Sequence, residues 1–164
     1  MYSTSTCLII GLLVGSGATA GEAVTVTKPG HMVFSQTPTE VKRQLSGRCE
    51  RLSEQSIDPV QIPGAQSQSQ LDCHGHQYAG KPRLAEYVFR NQQLYLSWIL
   101  VEATELDELE SRMRDEYGQP DHSTQVFSAW TSHRTALRKD IPEVLFYAPA
   151  ASEQFNAWFQ AAGE

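Results

Sequence analysis

The chain is predicted to fold as an α+β domain: an antiparallel sheet with helices packed on it and one disulfide. Three observations carry this. Strand-period segments cluster between Leu71 and Ala148, with the run Leu94 to Val101 almost wholly apolar. Strong helix punctuation stands at Thr37-Pro38-Thr39-Glu40 and at Gly118 and Pro120. Of three cysteines, only Cys49 and Cys73 lie beyond the N-terminal leader.

That leader is read from residues 1–20. A short apolar block from Cys7 to Val14 is followed by Gly15-Ser16-Gly17 and then Ala18-Thr19-Ala20, the small-x-small form of a signal-peptidase site. The block is shorter than the ~20 residues that span a bilayer, so cleavage rather than anchoring is expected. Cys7 stands at the start of the apolar run rather than after it and has no lipobox before it, which argues against lipidation. Export to the periplasm or exterior follows, with no membrane span left after cleavage. In that oxidising setting, an even pair of cysteines reads most economically as a Cys49–Cys73 disulfide, the alternative being a pair of free or metal-ligating thiols. No Cys-x-x-Cys spacing marks a redox centre.

Residues 21–35 form a lead-in, either frayed or a short edge strand, with alternating Val24 and Val26 and a Lys28-Pro29-Gly30 turn. Residues 36–164 are one domain. Thr37 and Glu40 make a capping box with Pro38 at the first helical position, opening a helix that carries Val41 and Leu45 on one face and stops at Gly47. Arg48 to Ile57 is extended; Asp58 to Gln70, with Pro59, Pro63, Gly64 and a Gln/Ser run, is a polar loop inside the disulfide ring. Arg83 to Arg90 alternates Tyr87 and Phe89 against Glu86 and Arg90, turns at Asn91-Gln92-Gln93, and pairs with Leu94 to Val101, a central strand. Thr104 caps the next helix, with Leu106, Leu109, Met113 and Tyr117 inward and Glu108/Arg112 and Glu110/Arg114 as exposed pairs. Strands follow at Gln125 to Thr131, Arg134 to Arg138 and Val144 to Ala148, and a last helix from near Ser152 buries Phe155, Trp158 and Phe159. No internal repeat is obvious.

The order of capped helix, Cys49, polar loop, Cys73, hairpin, a helix ending Tyr117-Gly118-Gln119-Pro120 and further strands extends from about Phe34 to Tyr147. It resembles small bacterial envelope proteins of the SmpA/OmlA outer-membrane-assembly type and the related beta-lactamase-inhibitor-like domains. The resemblance implies a binding module without an active site. Those assembly proteins are lipid-anchored, whereas this chain lacks the lipobox.

Chemistry is sparse. A net charge of -6 excludes the basic stripe that nucleic-acid binding needs. Cys73-His74-Gly75-His76 is the best chemical candidate: on a regular strand His74 and His76 face the same way and can chelate Zn or Cu, given a third ligand from His31, His122, His133 or a carboxylate. Ser132-His133 is no more than an adjacent hint of nucleophile and base, and no Gly-x-Ser-x-Gly elbow, phosphate loop or His-Glu-x-x-His helix occurs. The acidic set Glu102, Glu105, Asp107, Glu108 and Glu110 reads as a solvated helix face. An enzyme is therefore the less favoured class. On a regular strand Leu94, Leu96, Trp98 and Leu100 share one face and Tyr95, Ile99 and Val101 the other, so both faces need cover. Either helices supply it, or a face stays open with Tyr95 or Trp98 as its anchor for an envelope protein, a small ligand or a second copy of the chain. The expected function is thus non-catalytic binding, as a secreted or periplasmic accessory protein; the alternative is metal binding through His74 and His76.

Overall fold

The computed structural model describes residues 24–162; the leader, Cys7 and its cleavage site lie outside the described residues. Three helices and eight strands follow one another as α1 Pro38–Gln44, β1 Arg51–Ser56, β2 Gln68–Tyr78, β3 Lys81–Arg90, β4 Gln93–Leu100, α2 Leu106–Tyr117, β5 His122–Ser123, β6 Phe127–Trp130, β7 Thr135–Arg138, β8 Glu143–Tyr147 and α3 Ser152–Ala161. All strands form one antiparallel sheet in the order β1-β2-β3-β4-β8-β7-β6-β5. This order is palindromic. Each half is a helix followed by a four-strand meander, and the two halves join through the last strand of each, β4 against β8. The repeat is one of topology and left no trace obvious in the residues.

Local chemistry explains most boundaries. The capping box is formed as expected: Thr37 accepts from the Glu40 N–H, and Glu40 accepts from that of Thr37. The hairpin turns are Ala79-Gly80 and Asn91-Gln92, each with positive φ at both positions, the backbone twist that two-residue hairpins require. Before α2 a 3-10 turn, Ala103–Glu105, intervenes, and the Glu105 carboxylate rather than Thr104 does the local work by accepting from the Glu102 N–H. Gly118, at φ 82, ends α2, its carbonyl receiving the Trp130 indole N–H at 2.8 Å.

Both faces carry core. On the first face α1, α2 and residues 24–36 pack Val26, Met32, Val41, Leu45, Leu109 and Met113 against Leu71, Tyr87, Phe89 and Phe146. The lead-in is neither frayed nor a strand. Val26 and Met32 are buried, and residues Ser35 and Gln36 bond the Leu94 backbone, because β8 pairs with β4 only from Leu96 onward and leaves that side of Leu94 open. On the second face α3 sets Phe155 and Phe159 on Phe127, Leu145 and Tyr147, and Ile62 of the 57–67 loop covers Val88 and Leu96. Trp158 is only half-buried, on the rim of α3, where Arg138 lies over its ring. Cys49 and Cys73 are bonded, tying the segment after α1 to β2. A formed disulfide fits an extracytoplasmic protein. Among the described residues no helix is long and apolar enough to cross a membrane.

Two irregularities reassign faces. The β2–β3 register shifts between His74 and His76, with Gly75 at φ 80, and the β3–β4 register shifts between Phe89 and Val88, leaving Tyr95 as an extra residue between Leu94 and Leu96. After a bulge the period-2 alternation restarts out of phase. Leu94 therefore lies on the first face with Ile99, and Leu96 and Trp98 lie on the second, against the regular-strand expectation.

Candidate functional site

The second face is only half covered. α3 reaches as far as Trp98, whose ring meets Phe155 edge-on at 6.4 Å, and among the described residues no helix lies over β1 to β3 on that side. One row of in-register partners crosses this open half: Ser53, Asp72, Glu86, Trp98 and, beyond it, Leu145 under α3. The neighbouring row holds Arg51, His74 and Leu84. Trp98, Leu84 and Leu100 are half-buried.

At the centre of the open half, Asp72 and Glu86 stand directly opposite each other. Like charges so placed oppose folding. No Lys or Arg among the described residues makes an ion pair with either, whereas Glu105, Glu110 and Glu143 all have one. Asp72 accepts from the Gln70 amide at 2.7 Å. Partial burial, and then the Asp72 charge, push the Glu86 carboxyl above its ordinary range. The face thus carries an uncompensated negative centre beside an aromatic edge.

The sequence candidates are redistributed. Tyr95 is 7 % exposed, its hydroxyl donating to Gln154 of α3 at 3.0 Å, so it supports α3 and offers no surface; Trp98 remains accessible. The His74/His76 pair is not brought together. The Gly75 bulge turns His74 to the open face, 2.7 Å from Arg51, and His76 into the first face, where its ring lies 5.2 Å from that of His31. Zn or Cu chelation by His74 and His76 is thereby corrected, and among the described residues no group of three or more His, Cys, Asp or Glu side chains is placed to hold a metal ion. His133 packs on Tyr117 and His122 against Phe159, far from forming a third ligand for either.

Two acidic positions escaped the sequence reading, Asp72 and Glu86, because only the β2–β3 register makes them neighbours. His31, one of the third ligands the sequence offered to the pair, is brought to His76 alone, because the lead-in packs on the first face. The glycine between two histidines was the available signal, since an isolated Gly in a strand marks a bulge. Compared with protein-family models, with curated proteins and with solved structures, the chain matches none. The likeness to envelope-assembly and inhibitor-like domains therefore rests on element order alone.

Proposed function

We propose that the chain is a non-catalytic binding module of the periplasm or exterior whose contact surface is the open half of the second sheet face, and that it recognises a protein partner presenting a lysine or arginine. The observation that carries this reading is the unpaired Asp72–Glu86 couple beside half-exposed Trp98. A basic side chain laid there meets two carboxylates and, where it reaches the ring face, an indole, the environment that favours a cation most when it is desolvated. The chain's net charge of -6 steers the same class of partner at longer range. Leu84 and Leu100 supply the apolar rim that excludes water around such an anchor.

The test compares capture of envelope proteins by the natural chain and by Trp98→Ala and Glu86→Gln. Trp98→Ala should weaken retention of the partner by about 2 kcal/mol or more. Glu86→Gln should weaken it too while raising stability by a few tenths to about 1 kcal/mol, because it removes a like-charge opposition. Opposite signs on binding and stability are what a merely structural residue does not produce. Equal retention by all three proteins, or sedimentation showing that this face pairs two copies of the chain, would overturn the reading.

A further inference from the structure

On the first face of the sheet, away from the open half, a cleft of about 400 Å³ is lined in part by His31, Arg48, Glu50, Gly75 and His76. His76 is 2 % exposed, yet among the described residues neither of its ring nitrogens has a hydrogen-bond partner. Buried polar groups are almost always paired, and the exceptions point to an absent ligand, ion or water. The His31 ring stands edge-on at 5.2 Å, its Nε2 at 3.3 Å from the Tyr87 hydroxyl. Arg48 donates from Nε to the Gln44 carbonyl at 3.0 Å, and among the described residues no carboxylate forms an ion pair with its guanidinium. Gly75 lets the Glu50 side chain lie against the strand: a Cβ there would stand 2.5 Å from Cγ of Glu50.

Charge decides what such a cleft accepts. Burial chiefly, and then His31 and Arg48, hold the His76 imidazole neutral down to about pH 4; burial, Arg48 and Lys28 lower His31 in the same way. A field that opposes a proton opposes a divalent cation about twice as strongly, since Coulomb energy scales with charge. The third protein ligand is also missing among the described residues. The Arg48 and Lys28 charges in that field attract an anion, against the desolvation that burial imposes on any ion.

We propose that this cleft binds a small oxyanion, a carboxylate or a phosphate, between Arg48 and the imidazoles of His31 and His76. The guanidinium offers a fork of donors matched to two oxygens, and each neutral imidazole offers one N–H. The charged and titratable groups around His76 are His31 from the lead-in with Lys28 behind it, Arg48 and Glu50 from the segment joining α1 to β1, and Tyr87 from β3. Glu50 is the one carboxylate among the lining residues and opposes the anion. An anion seated here stabilises imidazolium, so binding takes up protons and tightens as pH falls. The site is independent of the protein-contact face.

Titration calorimetry of the disulfide-bonded protein with acetate and, separately, inorganic phosphate tests this, run at about pH 5.5 and about pH 7.5 in buffers of different ionisation enthalpy. Binding is expected to be at least about fivefold tighter at the lower pH and accompanied by proton uptake. Whichever anion binds tighter names the ligand class. Arg48→Gln should weaken binding about tenfold or more. His76→Asn should reduce the proton uptake, and so should His31→Asn, at a half-buried position, with the fold intact by circular dichroism. No binding of either anion by the natural protein, undiminished binding by Arg48→Gln, or Zn(II) binding tighter than both anions and lost in His76→Asn would overturn the proposal.

Discussion

Removal of the Cys49–Cys73 bond is expected to lower stability by about 3.5 kcal/mol. The bond closes a ring between residues 24 apart in sequence. In the chain-entropy account, a ring of that size takes roughly 12 cal/mol/K from the unfolded chain, which is about 3.5 kcal/mol at 25 °C. The structure also says where the loss falls. β1 is an edge strand with almost every side chain exposed, so it holds to the sheet by its ladder with β2 and by this bond just before it. The double variant Cys49→Ala/Cys73→Ala should therefore unfold at a urea midpoint lower by roughly 2 M, taking ~2 kcal/mol/M for the denaturant slope. Amides of Arg51 to Ser56 should lose exchange protection well before those of β3 and β4. A stability loss below about 1 kcal/mol, or β1 amides protected as in the natural protein, would refute the argument that this edge depends on the staple.

Phe159→Ala should cost about 3 to 5 kcal/mol, since the side chain is fully buried between Phe127, Tyr147 and Phe155; a loss under about 1.5 kcal/mol in urea melts would show that α3 does not seal the second face. Acid should destabilise in two ranges. The His76 imidazole is pushed down to about 4 in the fold against an ordinary 6.5, so the unfolded chain binds more protons between those values and stability falls as pH drops from 6.5 to about 4; His76→Asn should flatten that limb in pH-dependent melts. The Glu105 carboxyl, held at about 2 mainly by the Arg83 guanidinium and also by Lys81, contributes stability above its ordinary 4.5 that is lost as pH falls toward 2; Glu105→Gln should remove this lower limb, and an unchanged acid profile would refute the assignment.

Much of the fold was legible because its signals are local. The Thr37–Glu40 box, the Asn91-Gln92 turn, the Leu109/Met113 stripe of α2 and the aromatic face of α3 each depend on residues within one or two turns of chain. The fold class follows from these together, and so does the bonding of the only two described cysteines. Strand β2 began three residues earlier than expected, since Gln68 to Gln70 has polar side chains but pairs on both sides, with β1 and β3. That is a tertiary override of composition.

The sequence by itself determined the class of fold, the capping box of α1, the glycine end of α2, the hairpin and the partner cysteines, because each is set by neighbours along the chain. Tertiary structure alone decided which side chains share a surface. Two single-residue bulges, at Gly75 and Tyr95, exchange faces downstream of them, so His76 leaves His74 for His31 and Leu94 parts from Trp98. The pairing of β4 with β8 joins two meanders separated by a whole helix, and it carries the row that begins at Ser53 on from Trp98 to Leu145. The physical reason is the period of two: a strand's alternation is known from its residues, but its phase is set by register, and register is a contact between segments distant in sequence.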